Sequence, residues 1–444
     1  MNRYLNDMRA MRDRLRAALK RGLVAVLDVG SSKTACFIVR VDLAALDKAI
    51  SEDAHHAAFG ALRVVGAGVT QSRGVRLGEI VDLEEAQKAI RTALERAEKM
   101  AGERVDQVIA SVSGARPRSF SSYGEVDVER GEVTRRDIAR ALGACDWPQV
   151  GEGREVIHAM PVNFTLDGAT MAPDPRGMAA NLLSVDLLTV TVATTPLKNL
   201  ATCVRRCDLE LAGVVAAPYA AGLSALVEDE QKLGAACIEL GAGATNVSIF
   251  LRGHLIYADS GRLGGDHLTN DIASGLSMPM QSAERIKTLH GGAVATGLDD
   301  RELIDAPRIA NGGHPESRSI SRSALIGVIR PRLEEVLEDA RRRLDDAGFE
   351  TLPGRRIVLT GGGAQLTGVE EVAQRILGRP VRVGRPLRIG GLPELATGPD
   401  FSAAVGLAIH AARPRDELWD FEQVGHLGGR RRVSNAIRWF KDNW

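Results

Sequence analysis

Two short glycine-rich turns constrain this chain more strongly than any other feature of its sequence. The apolar run 23–27 leads into the turn 28–34, DVGSSKT, and the apolar run 235–240 leads into the turn 241–245, GAGAT. A second apolar run follows each turn at once. An apolar run, a glycine-rich turn and another apolar run are typical of a β-hairpin. The chain is therefore predicted to contain the same hairpin twice.

Hairpins of this kind can bind phosphate, because glycine lets backbone N–H groups approach an anion closely. Thr245 adds a hydroxyl group to the second turn. Two such hairpins facing each other would bind the phosphates of a nucleotide from both sides, with an acidic residue placed to hold Mg²⁺ through water. Taken singly, either turn is more often an ordinary tight hairpin without a ligand.

A third glycine cluster, 360–364 (TGGGA), follows the predicted strand 356–360 and precedes a predicted helix. The sugar or a phosphate of a nucleotide can rest near such a helix N-terminus. Each of the three elements is a weak signal by itself. Their combination and spacing predict a nucleotide site.

The order of these elements resembles the phosphate and adenosine motifs of the superfamily of actin, hexokinase and heat-shock chaperone ATPases. Within that superfamily the chain resembles FtsA, the actin relative that anchors the bacterial division machinery to the membrane. The resemblance covers about residues 22–412 and the last fifteen residues. The segments that carry it are 72–74 (SRG), 78–82 (GEIVD), 108–114 (VIASVSG), 283–287 (AERIK), 360–368 and the C-terminal tail.

The resemblance implies an α/β protein with the actin-like two-lobed ATPase fold, an inserted small α+β subdomain and a C-terminal amphipathic helix. A chain of 444 residues is also too long for one hydrophobic core. The expected divisions are a basic extension (1–21), a first core subdomain (22–112 and 192–222), the insertion (113–191), a second core subdomain (223–258 and 355–412), an upper subdomain for nucleotide and FtsZ binding (259–354), a linker (413–429) and a membrane-targeting helix (430–444).

The same resemblance implies ATP and Mg²⁺ in the cleft between the lobes. Asp28 and Glu239 are expected to face the metal through water, and Glu284 and Lys287 to reach the ribose and adenine. An exposed ion pair that needs no ligand is the alternative for Glu284 and Lys287, which are three apart on one helical face. The expected nucleotide-binding residues are Asp28, Gly30, Ser31, Ser32, Lys33, Glu239, Gly241, Gly243, Ala244, Thr245, Gly265, Glu284, Lys287, Gly361, Gly362 and Gly363.

Two departures from the superfamily pattern favour nucleotide binding over fast hydrolysis. Ala217 precedes Pro218 where chaperone-type ATPases have an acid that positions the attacking water, and alanine cannot do so. Glu239 stands where aspartate is usual, and the longer side chain shifts any contact with Mg²⁺. No catalytic residue is predicted.

The resemblance also implies the partners. A basic groove with Arg318, Arg332 and Glu335 is expected to receive the C-terminal peptide of FtsZ, the tubulin relative that forms the division ring. Self-association into filaments and recruitment of other divisome proteins are expected as well. The alternatives are an enzyme on the same fold, either a phosphotransferase or a chaperone-type ATPase, and a pilus-assembly adaptor. A kinase would need an aspartate base in a substrate cleft, for which the sequence offers no clear candidate.

Composition excludes some classes of function. The 57 basic and 57 acidic residues balance, so no overall charge favours nucleic acid. The five cysteines are odd in number and lie mostly in apolar runs, which favours buried reduced thiols. No stretch has the length and apolarity of a membrane span. The resemblance implies a location at the cytoplasmic face of the bacterial inner membrane, at the division septum.

Both ends of the chain are basic and amphipathic. Residues 1–21 have apolar residues at helical spacing, and this helix is expected either to touch lipid or a partner or to be a solvated extension. Residues 430–444 place an apolar stripe beside basic residues, which suits a helix lying on anionic lipid, and packing of this stripe on the protein's own surface is the alternative. The residues expected to contact the membrane are Arg431, Arg432, Val433, Ile437, Trp439, Phe440 and Trp444.

Overall fold

The computed structural model describes residues 8–46, 59–146, 153–309, 315–316, 318–352, 356–412 and 417. The helices in this part of the chain are α1 (Met8–Lys20), α2 (Leu83–Ala101), α3 (Arg135–Ala144), α4 (Thr194–Arg206), α5 (Ala217–Ala225), α6 (Glu228–Leu233), α7 (Gly265–Gly275), α8 (Met280–His290), α9 (Arg322–Asp346), α10 (Val369–Leu377) and α11 (Ser402–Ala412).

The strands in the same part are β1 (Leu23–Val29), β2 (Lys33–Val41), β3 (Leu62–Gln71), β4 (Val75–Arg76), β5 (Glu79–Ile80), β6 (Gln107–Val112), β7 (Arg118–Asp127), β8 (Arg154–Leu166), β9 (Thr170–Ala172), β10 (Leu182–Ala193), β11 (Glu210–Ala216), β12 (Ala235–Leu240), β13 (Thr245–Leu251), β14 (His254–Gly261), β15 (Leu303–Asp305), β16 (Arg308–Ile309), β17 (Pro315–Glu316), β18 (Ser319–Ser321), β19 (Arg356–Thr360) and β20 (Val381–Val383).

The first lobe is built on a five-stranded sheet with the order β11-β6-β1-β2-β3. The central strand β1 is antiparallel to β2 and parallel to β6. Most of β1 and β2 is buried, which explains why both read as nearly continuous apolar runs. The helix α2 covers β2 and β3 with its apolar face.

The second sheet has nine strands in the order β20-β19-β12-β13-β14-β7-β10-β8-β9. Its strands β7 to β10 come from the inserted segment, which lies in sequence between two strands of the first sheet. They join the rest of the sheet through a single pairing, Arg118 opposite Asp259. Together with α3, which packs on β7 and β10, these strands form the α+β unit expected from the sequence.

Two helices cross between the sheets. The helix α5 packs on β12 and β13 of the second sheet, whereas α11 packs on β1 and β2 of the first. The two helices pack on each other where Gly406 meets the backbone of Ala220, and a Cβ atom at Gly406 would lie 1.7 Å from the Ala220 carbonyl oxygen. The expected division 355–412 placed α11 with the second core subdomain, but its packing is on the first sheet. The subdomain boundaries themselves stay a prediction.

The N-terminal helix α1 is amphipathic, as expected, but its apolar face is not available to lipid or a partner. Met11, Leu15 and Ala18 are buried in the core of the first lobe. The Arg14 guanidinium donates to the carbonyl oxygen of Leu211 at 3.2 Å. The helix therefore covers β11, the edge strand of the first sheet, which neither expectation for this segment foresaw.

A buried polar contact anchors the chain after α11. The Glu417 side chain is 4% exposed, and its Oε1 lies 3.2 Å from His158 Nδ1. Its Oε2 accepts a hydrogen bond from the backbone N–H of Ala159 at 3.3 Å. On the other side of the ring, His158 Nε2 accepts from the N–H of Ala216 at 3.1 Å, one residue before α5. Glu417 thus ties the predicted linker segment to β8 of the inserted unit.

The predicted membrane helix 430–444, with all seven residues expected to contact lipid, lies outside the described residues. Within the described ranges, no helix combines the length and the apolar character that a membrane crossing requires. The five cysteines are buried and unpaired, as expected.

Candidate functional site

The two predicted hairpins have the same local structure. In the β1–β2 turn, the N–H of Gly30 donates to the carbonyl oxygen of Lys33 at 3.0 Å. In the β12–β13 turn, the N–H of Gly241 donates to the carbonyl oxygen of Ala244 at 3.0 Å. Each bond closes a turn of four residues between paired strands. The two hairpins that look alike in the sequence therefore also have the same turn structure.

The second hairpin turn packs against the first. A Cβ atom at Gly243 would lie 2.3 Å from Ser31 Oγ and 2.6 Å from the Cα of Leu77. Ser31 Oγ in turn accepts a hydrogen bond from the N–H of Gly78 at 2.7 Å. Any side chain at Gly243 would force the two turns apart, so glycine at this position permits their close approach.

The turns border a cavity of about 370 Å³ between the lobes. A volume of this order lies within the range of small-molecule sites. The expected binding residues that line it are Asp28, Gly30, Ser31, Ser32, Lys33, Glu239, Gly241, Gly243, Ala244, Gly265, Glu284, Lys287, Gly361, Gly362 and Gly363. The two hairpin turns and the third glycine cluster, which are far apart in the sequence, therefore line the same cavity.

Thr245 is the exception among the expected residues. It is buried, does not line the cavity, and donates its hydroxyl hydrogen to the carbonyl oxygen of Leu263 at 2.9 Å. Thr34, the equivalent residue in the first hairpin, is also buried and bonds to Ser72 Oγ at 2.8 Å. In each hairpin the threonine is paired inside the fold, and the binding of a phosphate by the Thr245 hydroxyl stays a prediction that this arrangement does not favour.

Two carboxylates lie at the turn end of the cavity. Asp28 Oδ1 accepts a hydrogen bond from Ser111 Oγ at 2.5 Å. Glu239 Oε2 accepts from Asn246 Nδ2 at 2.7 Å, and Asn246 Oδ1 accepts from Ser260 Oγ at 2.7 Å. The serine hydroxyl therefore orients the Asn246 amide so that its NH₂ group faces Glu239.

Both carboxyl groups are harder to ionise than usual. Burial raises the pKa of Glu239 to about 7, and repulsion from Asp28 adds to the effect, while the Asn246 hydrogen bond and Lys33 oppose it. Burial also raises the pKa of Asp28, against the hydrogen bond from Ser111 and the attraction of Lys33. A cation near both groups would favour their charged forms.

Lys33 is paired within the protein. Its Nζ lies 2.5 Å from Asp400 Oδ2 and 4.1 Å from the ring centroid of Phe401. The other carboxylate oxygen of Asp400 accepts a hydrogen bond from Gln365 Nε2 at 3.2 Å. Lys33, Asp400 and Gln365 all line the cavity.

Glu284 and Lys287 form an ion pair that also lines the cavity. Lys287 Nζ lies 2.6 Å from Glu284 Oε2 and donates to Thr269 Oγ1 at 2.7 Å and to the carbonyl oxygen of Gly265 at 3.1 Å. Lys287 is 13% exposed and Glu284 50% exposed. The ion pair is present and lines the cavity, and contact of these two residues with the ribose and adenine stays a prediction.

The third glycine cluster packs on the second hairpin. Gly361 has a φ angle of +82°, which favours glycine, and a Cβ atom there would lie 2.6 Å from the carbonyl oxygen of Leu240. Ala217, where the sequence lacks the expected acid, begins α5 and lines the cavity as well. The position without an acid thus faces the same space as the glycine turns.

Sequence reasoning missed several side chains at the site, namely Ser111, Asn246, Gln365 and Asp400. A signal existed for Asn246, because a four-residue turn at 241–244 places it directly opposite Glu239. Ser111 and Asp400 lie far along the chain from their partners, and no local pattern indicates them.

The expected FtsZ groove is less basic than predicted. Arg332 Nε lies 2.6 Å from Asp271 Oδ2, and its Nη1 lies 2.5 Å from Glu335 Oε2. Hydrogen bonding to Asp271 raises the pKa of Arg332. Arg318 donates instead to the carbonyl oxygen of Leu276, just after α7. Arg332 and Glu335 are together, but acidic neighbours balance the charge of the arginine.

The fold is similar to that of solved structures of actin-like proteins. A chain of the PilM–PilN type IV pilus biogenesis complex matches 88% of this chain and 99% of its own length, with a TM-score of 0.59 and 15% identity. MreB5 of Spiroplasma citri, in a structure bound to ADP, matches 87% of this chain and 95% of its own, with a TM-score of 0.50 and 15% identity. This protein has the actin-like ATPase fold.

Sequence similarity identifies the family within that class. The profile of cell division protein FtsA matches residues 236–406, and that of the SHS2 domain inserted in FtsA matches residues 114–191. The FtsA proteins of Rhizobium meliloti strain 1021 and Pseudomonas aeruginosa are 39% and 32% identical, over 95% and 90% of this chain and 95% and 92% of their own. FtsA of Escherichia coli K12 is 29% identical over 96% of both chains. The chain belongs to the FtsA family of cell division proteins.

Proposed function

We propose that this protein binds ATP with Mg²⁺ in the cavity between its lobes and acts as a filament-forming adaptor that attaches FtsZ to the inner membrane. The observation that carries the proposal is the meeting of two equivalent glycine hairpins over one cavity. Each hairpin contributes a carboxylate, Asp28 or Glu239, to the same end of it. The structure of MreB5 bound to ADP supports a nucleotide as the ligand of this fold.

The residues present fit a nucleotide. Backbone N–H groups near the glycines of both turns suit phosphate oxygens, since no side chain blocks the approach. Glu284, Lys287 and the Gly361–Gly363 segment line the same cavity, and we propose that they contact the ribose and adenine.

The donor set also fits a divalent cation. Asp28 and Glu239 present carboxylate oxygens, the ligands that Mg²⁺ prefers, and burial raises the pKa of both groups, so that a cation beside them would favour their charged forms. Among the described residues, no group of three side chains has the arrangement of a metal site made by protein alone. We therefore propose that Mg²⁺ is held by the phosphates and by these two carboxylates through water.

Hydrolysis should be slow. Ala217 begins α5 at the cavity wall and has no group that accepts a proton from water. We infer that nucleotide binding stabilises the form that assembles into filaments, and that turnover is not the main activity. A phosphate-release assay that found more than about one turnover per second, well inside the ordinary range of enzymes, would favour an ATP-dependent enzyme instead.

Membership of the FtsA family supports a proposal of partners. We propose that FtsZ binds through its C-terminal peptide at Arg318, Arg332 and Glu335, exchanging contacts with the acidic groups that now balance Arg332. Residues 430–444 would lie on anionic lipid of the inner membrane, and the filament would recruit other divisome proteins to the septal Z-ring. No nucleic acid partner is proposed.

Calorimetric titration with ATP tests the core of the proposal. The wild-type protein should bind ATP in the presence of Mg²⁺, and chelation of Mg²⁺ should weaken binding by about tenfold or more. Asp28→Asn together with Glu239→Gln should reduce this Mg²⁺ dependence. Asp208→Asn removes a carboxylate outside the cavity lining and serves as the matched control. A folded wild-type protein that binds no adenine nucleotide would refute the proposal.

A further inference from the structure

Asp400 is a carboxylate of the cavity wall that the proposed binding of ATP does not use. It lies in the short turn Pro399–Phe401, directly before α11, and is 26% exposed. Lys33 on one side and Gln365 on the other engage both of its oxygens, at 2.5 Å and 3.2 Å. The side chain is therefore held in one orientation, facing the first hairpin turn.

The ion pair with Asp400 occupies the Lys33 ammonium group, which an incoming phosphate group would otherwise contact. Lys33 is the basic residue of the first glycine turn and is 20% exposed. Its ammonium group is confined between the Asp400 carboxylate and the Phe401 ring. Asp28 and Glu239 border the same cavity, so the side chains at the turn end carry more acidic than basic groups.

We propose that Asp400 is a specificity-determining residue that competes with ligand phosphates for Lys33. A ligand that brings negative charge to the turn can take Lys33 from Asp400, whereas an uncharged nucleoside cannot. Asp400 then lowers the affinity for every phosphorylated ligand and leaves the affinity for the nucleoside unchanged. The inference rests on the proposed binding of ATP in this cavity.

The variant Asp400→Asn tests this inference, because asparagine keeps the shape and an oxygen that can accept hydrogen bonds but removes the charge. Calorimetric titration should show ATP and ADP binding about fivefold more tightly to the variant, the upper range for one partly exposed ion pair. Adenosine, measured by competition, should bind both proteins equally. Glu394→Gln is the matched control, since it removes one exposed carboxylate from the neighbouring turn, outside the cavity lining.

A second background separates competition for Lys33 from simple repulsion. In Lys33→Gln protein there is no cation to compete for, so adding Asp400→Asn should change ATP affinity by less than about twofold if the two residues act as one unit. An undiminished gain in that background would show that Asp400 acts by repulsion alone and would overturn the inference. Weaker or unchanged ATP binding by the single variant would also overturn it.

The outcomes distinguish this inference from the proposed function. If the wild-type protein binds no adenine nucleotide, the proposed function fails. If it binds ATP and Asp400→Asn leaves the affinities for ATP, ADP and adenosine unchanged, the proposed function stands and the role of Asp400 fails. A thermal unfolding curve of each variant, followed by circular dichroism, shows whether an altered affinity reflects a folded protein.

Discussion

Replacing Glu239 by glutamine should make the protein without added nucleotide more stable at high pH. The carboxyl group has its pKa raised from 4.5 to about 7. Its folded-state pKa therefore lies above its unfolded-state pKa, so the folded protein binds the proton more tightly between these two values. The free energy of unfolding should fall as the pH rises through this window and change no further above it.

The size of the effect follows from the shift. At about 1.4 kcal/mol per pKa unit, a rise from 4.5 to about 7 corresponds to at most ~3–4 kcal/mol of stability lost on ionisation. Glu239 as a whole is only partly buried in β12, so solvent screens part of this effect, and about 1–2 kcal/mol is the expected difference. Glutamine has no charge to bury, and its carbonyl oxygen can still accept the hydrogen bond from Asn246.

Urea unfolding followed by circular dichroism measures the difference. With Mg²⁺ chelated, Glu239→Gln should unfold at a higher urea concentration than wild type at about pH 8 and at a similar concentration at about pH 5.

A control variant at an exposed carboxyl group tests whether the effect is specific to Glu239. Glu95→Gln neutralises an exposed carboxylate on α2 and should shift neither midpoint. If Glu239→Gln differs from wild type equally at both pH values, or is less stable at the higher one, the carboxyl group is not held against its ionisation. The same variant should show a weaker Mg²⁺ dependence of ATP binding, because the carboxylate charge that lowers stability is also one of the two charges proposed to face the metal.

Three further outcomes are expected. Charge reversal at Arg318 or Arg332 should weaken binding of the FtsZ C-terminal peptide, as measured by fluorescence anisotropy, and should lower the unfolding temperature only slightly. If the affinity is unchanged in both variants, the peptide binds elsewhere. Deleting 430–444 should abolish sedimentation with anionic vesicles while ATP binding persists, and continued vesicle binding would refute the anchor. Deleting 413–444 should cost about 1–3 kcal/mol more stability than deleting 430–444, because it also removes buried Glu417, and equal unfolding midpoints would contradict this.

Much of the site was readable from the sequence because its motifs are local. A hairpin is defined by two adjacent runs and the turn between them, so Gly30 and Gly241 could be placed without knowing what surrounds them. The duplication then indicated that the two turns act together. Asn246 was equally readable, since the length of the turn sets the register that places it opposite Glu239.

Local pattern was not sufficient for side chains whose surroundings come from elsewhere in the chain. Helical spacing predicted α1 correctly, but the period of a helix does not say which surface its apolar face meets, and that surface is β11. Thr245 follows a glycine turn, where a phosphate-binding hydroxyl was predicted, yet it donates its hydroxyl hydrogen to the carbonyl oxygen of Leu263. For α1 and for Thr245, a residue or strand that is distant in the sequence determines what the segment contacts.

The sequence by itself determined the two hairpins, the third glycine cluster and the family, because each depends on residues close together in the chain. Only the tertiary structure decided that Lys33 meets Asp400, which lies 367 residues away, and that Ser111 supports Asp28. The first pair forms when α11 packs back onto the first sheet, and the second forms when β6 pairs with β1. The free energy of that packing comes from buried surface shared by many residues, so no short segment of the sequence encodes it.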